Sequence, residues 1–397
     1  MQYRKDKYGN DISVLGYGCM RFSKNGSQID FAKTEKEILR AIELGINYFD
    51  TAYIYPGSEE CLGNILEKNN LRKQVKIATK MPQYMVKNPD ALDKYFNEEL
   101  KRLKTDYIDY YLMHMMTDYA NWENLLNNGI EDWIKRKKEE GSIKQVGFSF
   151  HGNTEMFLKI LNAYDWDFCQ IQYNYVDEHT QAGREGLMKA YEKGIPVIIM
   201  EPLRGGKLVN LLPDNAKKII EEYPKKRTAA EWAFRWLMEQ KEVSCVLSGM
   251  NSIEMLEENV RIASEVSIGE FDEEDRSMIE RIKEIIKENT KVPCTACGYC
   301  MPCPMGVDIP ATFRCYNLMF TENKKAGRFE YSQVVSLRAD SACADKCVGC
   351  GKCESHCPQK IEIRKYLKEA DKALQPWTYK ILLKFARKFM RLKSPKK

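Results

Sequence analysis

Eight short apolar runs, each followed by an amphipathic stretch, fill the chain from Ile12 to about Glu270. The runs are ISVLGYGC, INYFDTA, VKIATK, IDYYLMH, IKQVGFSF, DFCQIQYN, IPVIIMEP and VSCVLSG. Their β-branched and aromatic content and near-absence of polar alternation predict strands buried on both faces. Stretches such as TEKEILRAIELG, NPDALDKYFNEELKRL, NTEMFLKILNAY and RTAAEWAFRWLMEQ place apolar residues at three- and four-residue steps after polar or Pro starts, which predicts helices. Alternating strands and helices imply parallel pairing, and eight such units in roughly 260 residues have the size of a closed (β/α)8 TIM barrel. An open doubly wound α/β sheet is the alternative, but no G-x-G-x-x-G follows the first run. The leading MQYRKDKYGND suits a short hairpin around Gly9 and Asn10 that caps one end of the barrel.

Cysteine divides the chain into two chemical regions. Ten of the 14 cysteines lie at or after Cys294. The other four, Cys19, Cys61, Cys169 and Cys245, have no regular spacing and are expected to be buried small hydrophobes. Cys347, Cys350, Cys353 and Cys357 with Pro358 spell C-x2-C-x2-C-x3-C-P, the spacing of a bacterial [4Fe–4S] ferredoxin, whose fourth cysteine ligates the other cluster. Cys294, Cys297, Cys300 and Cys303 with Pro304 repeat it with one residue fewer before the last cysteine. Two [4Fe–4S] clusters are therefore expected, one on Cys294, Cys297, Cys300 and Cys357, the other on Cys347, Cys350, Cys353 and Cys303. Structural zinc on C-x2-C pairs is the competing reading. Cys315 and Cys343 fall outside both runs and are expected to be packing residues.

The domain reading is then a barrel over residues 1–272, a charged connecting helix over 273–290, a mostly helical dicluster domain over 291–372 and a basic amphipathic tail over 373–397. Between the cysteine runs, Phe313, Tyr316 and Phe320 recur at helical steps.

Barrel enzymes carry their chemistry at the carboxyl ends of the strands. The second strand is expected to end in Asp50 with Tyr55 five residues on, the third in Lys80 and the fourth in His114. A phenol can protonate a carbonyl oxygen as hydride arrives, but its pKa near 10 makes it a sluggish acid. An ammonium beside it lowers that pKa, a carboxylate fixes the ammonium, and an imidazole orients the substrate carbonyl.

On these residues the barrel resembles the aldo/keto reductase family: INYFDTAYIY, KIATK and DYYLMH are similar to its tetrad segments. The resemblance covers about two-thirds of the chain and implies a nicotinamide-dependent barrel in which Tyr55 is the general acid, Lys80 and Asp50 tune it, and His114 orients the substrate. It further implies that Ser149 and Gln170 hold the carboxamide and that Met200, Glu201, Leu203 and Gly205 of MEPLRGG flank the nicotinamide ring and pyrophosphate. Ser248 and Gly249 of SGMNSIEM fall in the same groove, and Glu258 and Asn259 meet the adenine. Phe150 stands where many members carry Asn, Met200 where many carry an aromatic ring, and SGMNSIEM has no Lys or Arg for a 2′-phosphate. NADH, NADPH and a flavin all stay open as occupants. Met115, Met116, Trp122 and Arg204 are candidate pocket-shaping residues.

Net charge is +5, but residues 375–397 hold six Lys and two Arg with no acid, so the remainder sums to −3. Nucleic acid is not an expected partner. Trp377, Ile381, Phe385 and Phe389 fall at four-residue steps in this tail, which is expected to pack its aromatic stripe on the protein with its cations in water. Docking to an anionic membrane surface or an acidic electron-transfer protein is the other reading. No run is long enough to span a membrane and no secretory signal is read, so the expected location is cytoplasmic. The expected function is an iron–sulfur oxidoreductase acting on a carbonyl-type small molecule, with a ferredoxin or similar protein as electron partner. The alternative is a redox sensor or electron carrier whose barrel binds a ligand with little catalysis.

Overall fold

The chain opens with an antiparallel hairpin, β1 (Tyr3–Lys5) and β2 (Asp11–Ser13), in a computed structural model that describes residues 1–288, 290–294, 298, 300–357 and 360–389. Gly9, at the hairpin tip, takes a left-handed φ of 81° that favours glycine. The Asp6 carboxylate accepts hydrogen bonds from Tyr110 Oη at 2.8 Å, from Asn10 N at 2.8 Å and from Gln145 Nε2. Ile12 joins Tyr48, Ala78, Tyr110 and Phe168 in the apolar interior, so the hairpin closes the amino end of the barrel as the sequence suggested. The first run is not one strand: it divides at Val14, with its front half in the hairpin and β3 (Leu15–Gly18) in the barrel. The break comes where Ser13 N donates to Asn47 Oδ1 and Val14 N to Gln2 O.

A second hairpin, β4 (Lys24–Asn25) and β5 (Gln28–Ile29), precedes seven more barrel strands. These are β6 (Tyr48–Asp50), β7 (Lys76–Met81), β8 (Ile108–Met116), β9 (Ile143–Phe150), β10 (Phe168–Gln172), β11 (Val197–Met200) and β12 (Val243–Ser248). All neighbours pair in parallel, and the ring closes in the order β10-β11-β12-β3-β6-β7-β8-β9. Inward side chains fill the ring, while outward ones meet the helices, so the strands are buried on both faces and lack polar alternation. Gly147 permits the β9–β10 approach, since a Cβ there would sit 2.5 Å from Phe168 O. Cys19, Cys61, Cys169 and Cys245 are buried, as expected.

The helix Glu273–Glu288, read from sequence as a connector, packs Met278, Ile279 and Ile282 into the barrel's own core. A separate core then forms around Val307, Ile309, Phe313, Tyr316, Tyr331, Val335, Ile363 and Leu367, on the helices Ile309–Thr321, Lys324–Tyr331 and Ile363–Leu374. Phe313 and Tyr316 lie inside it, but Phe320 is exposed, ending the expected stripe one turn early. Cys315 and Cys343 are buried, and Gln375 Nε2 donates to Cys343 Sγ.

The tail forms a helix, Trp377–Phe389, but not in the expected orientation. Trp377, Ile381 and Phe385 face outward, and the inward side carries Leu383, Tyr379, Lys380 and Arg387. Arg387 donates to the carbonyl oxygens of Ser336, Arg338 and Ala339, left open where the chain leaves a π turn at Ser332–Ser336. These acceptors draw a cation in and turn the aromatic stripe out. Among the described residues, no helix is long and apolar enough to cross a membrane.

Candidate active site

Strand β6 ends in Asp50 and β7 carries Lys80 one residue before its end, which brings the two side chains together across adjacent strands. Lys80 Nζ lies 2.6 Å from Asp50 Oδ1 and donates to Thr51 O at 2.7 Å, with both side chains almost wholly buried. Gln170 Nε2, from β10, donates to the other Asp50 oxygen at 3.0 Å. Burial works against the Lys80 ammonium, but Asp50 and Tyr55 outweigh it and hold its pKa above the ordinary lysine value.

Tyr55 sits in the turn after β6, with its ring centre 5.2 Å from Lys80 Nζ and 6.0 Å from the His114 ring, edge to face. Burial pushes the phenol up, and Asp50 and Glu201 add to this against the pull of Lys80. The expected lowering of its pKa by the lysine is therefore outweighed here, and Tyr55 keeps its proton at neutral pH.

His114 is not at the end of its strand, because β8 runs on to Met116 through a bulge. Met113 pairs with Phe148 and Met116 with Phe150, so one extra residue is inserted, and Met115 takes a φ of 53°. Ser149 Oγ accepts from Met115 N at 2.9 Å and fixes that bulge. Burial, then Lys80 and His151, hold His114 well below the ordinary histidine value, so it is neutral, and its buried Nδ1 has no hydrogen-bond partner.

The implied cofactor positions collect on the same rim. Gln170 Oε1 is buried without a partner on β10, beside the tetrad, and suits a carboxamide N–H. Met200 ends β11, and Glu201, Arg204, Gly205 and Gly206 all have left-handed φ values in the turn that follows, with Leu203 half-buried among them. Ser248 ends β12 and accepts from Asn259 Nδ2 at 3.1 Å, while Glu258 accepts from Thr228 Oγ1. Arg21, in the turn after β3, joins these segments: its Nη1 donates to Gly205 O at 3.1 Å, and its Cδ lies 3.4 Å from where a Cβ on Gly249 would be. The sequence reading missed Arg21 and His151, although each follows a barrel strand, the position that marked the tetrad. Trp122 and Met116 are core residues rather than pocket walls.

The cysteine domain docks on this same end of the barrel. Thr117 Oγ1 donates to Leu337 O, and Asp118 Oδ2 accepts from Ala339 N. Gln181 Nε2 donates to Glu330 at 2.9 Å, Glu330 pairs with Arg314 at 2.6 Å, and Arg314 approaches Asp177 at 3.8 Å. Arg204 bridges Asp177 and Glu322, and Lys207 also meets Glu322. Burial works against the carboxylates of Asp177 and Glu330, but the arginines outweigh it and hold both below the ordinary range. Burial lowers the His151 pKa against the pull of Glu330 and Gln181, so this belt acts on a second imidazole beside His114.

Cys303, Cys347, Cys350 and Cys353 line one cavity of about 300 Å³, with Cys300 also on its wall. The five come from both runs, and Cys300, expected on the other cluster, shares the wall with the four expected together. Lys352, Arg364 and His356 line it too, and no Asp or Glu does, so its walls suit an anionic thiolate-bound group. Cys294 and Cys357 edge the domain core, and Cys297 lies outside the described residues. Among the described residues, no three His, Cys, Asp or Glu side chains converge as a single metal ion requires.

Comparison with known proteins agrees with both halves. Residues 14–284 match the aldo/keto reductase family and residues 293–362 match a 4Fe-4S dicluster domain. The chain is 28% identical over 297 residues to the uncharacterized oxidoreductase YqkF of Bacillus subtilis, covering 66% of this chain and 91% of that protein. It is 25% identical over 231 residues to the aldo-keto reductase yakc [NADP(+)] of Schizosaccharomyces pombe, covering 55% and 65%. Among solved structures, the holo form of aldo-keto reductase AKR11C1 from Bacillus halodurans superposes with a TM-score of 0.59 at 25% identity, covering 71% of this chain and 96% of that one.

Proposed function

The chain belongs to the aldo/keto reductase family, and we propose that it interconverts a carbonyl and an alcohol on a small molecule, using a nicotinamide cofactor, while two [4Fe–4S] clusters exchange electrons with the barrel. The observation that carries the reading is the convergence of Tyr55, His114 and the buried Lys80–Asp50 pair on one barrel rim. A reduced nicotinamide supplies hydride to the carbonyl carbon when bound. Tyr55 Oη then holds the proton for the carbonyl oxygen, Lys80 offsets the charge left on the phenol, and neutral His114 orients the oxygen. Gln170 and Ser149 would hold the carboxamide, a reading supported by the unpartnered Gln170 Oε1, and Arg21, Gly205, Ser248 and Gly249 would hold the pyrophosphate. The relative named for NADP(+) supports a nicotinamide dinucleotide with a 2′-phosphate, although SGMNSIEM offers no cation to that phosphate.

Cys294, Cys297, Cys300 and Cys357 would hold one cluster, and Cys303, Cys347, Cys350 and Cys353 the other. Each passes single electrons, so coupling to hydride needs a group that handles both, of which flavins are the common class. A second reading, a redox sensor with little catalysis, is favoured by the ion-pair belt that ties the cysteine domain to the catalytic rim.

The test is anaerobic purification, iron and sulfide analysis, EPR of the reduced protein, and extraction of bound flavin or nucleotide, followed by assay of NADH and NADPH oxidation against small aldehydes and ketones. About eight irons per chain with turnover that Tyr55→Phe abolishes supports the enzyme reading. Turnover indifferent to all four tetrad positions supports the sensor, and zinc in place of iron overturns electron transfer in both.

A further inference from the structure

The tail helix turns its large apolar side chains to solvent. Trp377 is 75% exposed, Phe385 69%, Leu382 59% and Ile381 50%, and Trp377 is the most exposed large apolar side chain among the described residues. Spacings of four, five and eight residues from Trp377 put the other three on one face of the helix. The opposite face is pinned. Leu383 is buried, Lys380 pairs with Asp371 at 3.2 Å, Tyr379 Oη donates to Arg328 O, and Arg387 holds three backbone carbonyls. The stripe is thus held outward by specific contacts on the other side, and a contiguous exposed apolar face of this kind marks a binding surface.

Charge identifies what it binds. Lys384 and Lys388 are exposed; Lys384 edges the stripe, and Lys388 falls in its arc one turn beyond Lys384. Residues 375–397 hold eight Lys and Arg without a single acid, four of those cations lying beyond residue 389. A second copy of the chain would have to bring two such acid-free tails together against their repulsion. An anionic bilayer surface answers both features: Trp, Phe, Leu and Ile enter the headgroup–acyl boundary while lysine heads stay among the phosphates. Over its described residues the helix is too short and too charged to cross, so it lies in the surface plane.

We propose that the helix Trp377–Phe389 is an interfacial anchor that holds the cysteine domain against an anionic lipid bilayer. The test is cosedimentation of the full anaerobic protein with vesicles of equal parts phosphatidylglycerol and phosphatidylcholine, beside pure phosphatidylcholine vesicles. The protein pellets with the anionic vesicles, binds neutral ones at least about tenfold more weakly, and is released by raised salt. The triple variant W377S/I381S/F385S keeps its iron content and circular dichroism, because these side chains are exposed, and partitions about tenfold or more less into anionic vesicles. Failure to pellet with anionic vesicles, or equal pelleting of the triple variant, overturns the anchor. A wild-type dimer in light scattering that the triple variant dissolves assigns the stripe to a second copy and also overturns it.

Discussion

Replacing Asp50 by Asn removes a charge without changing shape, and the surroundings set the size of the effect. Lys80 Nζ has two acceptors, Asp50 Oδ1 at 2.6 Å and Thr51 O at 2.7 Å, and its side chain is only 2% exposed. The introduced amide can still accept through its carbonyl oxygen, so what is lost is the compensation of a buried ammonium. Stranding one partner of a buried pair is worth about 3–5 kcal/mol, roughly a 6–20 °C fall in Tm for a domain of this size. Lys80→Met strands the Asp50 carboxylate, which burial already pushes up, so this variant also loses stability. The double variant D50N/K80M leaves neither charge behind. Its loss is therefore smaller than the two single losses combined, with a coupling of about 2 kcal/mol or more. Thermal and urea melts of all four proteins, followed by circular dichroism, measure this. A D50N loss under about 1 kcal/mol, or strictly additive single losses, refutes the argument that the pair is a mutually dependent buried ion pair.

Tyr55→Phe removes the proton held for the carbonyl oxygen and lowers kcat about 10²- to 10⁴-fold, while fluorescence titration shows nicotinamide binding little changed. His114 stays neutral in the fold well below its unfolded pKa of about 6.5, so below that pH the unfolded chain takes up a proton that the native one refuses. The His114 contribution to stability is accordingly full above about pH 6.5 and falls by about 1.4 kcal/mol per unit below it until His114 itself protonates; urea melts of His114→Gln from pH 7 to 5 show a flatter decline than wild type. Cys303→Ser lowers iron from about eight to about four per chain, whereas Cys343→Ser, at a buried packing position, leaves it unchanged. Iron that falls equally in both contradicts the exchange assignment.

The barrel was legible because strands buried on both faces carry no polar alternation, their number and spacing have the size of a closed parallel barrel, and the missing G-x-G-x-x-G weighed against an open sheet. The positions of Asp50, Lys80 and His114 were legible by the same logic, since the strand direction alone decides which end carries chemistry. Applied to every strand, it would also have reached Arg21 after β3 and His151 after β9. The split at Val14 and the β8 bulge were not legible, because Asn47 and Ser149, which fix them, lie 34 residues away in each case. The tail shows the limit most clearly. Its periodicity reveals a stripe, but which side faces inward depends on three carbonyls near residue 338 that no local pattern displays. For the same reason the belt from Gln181 through Glu330 to Arg314 was invisible, as its members lie on different domains.

That belt divides the rim between variation and constancy. The loops after β8, β10 and β11 are engaged by the cysteine domain through Thr117, Asp118, Asp177, Gln181, Arg204 and Lys207. A substitution there that suits a new substrate also loosens the domain seated on it, so descent with new specificity is steered to the loops after β6 and β7, around Ile54 and Tyr84. Libraries that randomise those two loops with Tyr55 held fixed should keep their iron and change their substrates, and libraries in the other three should lose both together.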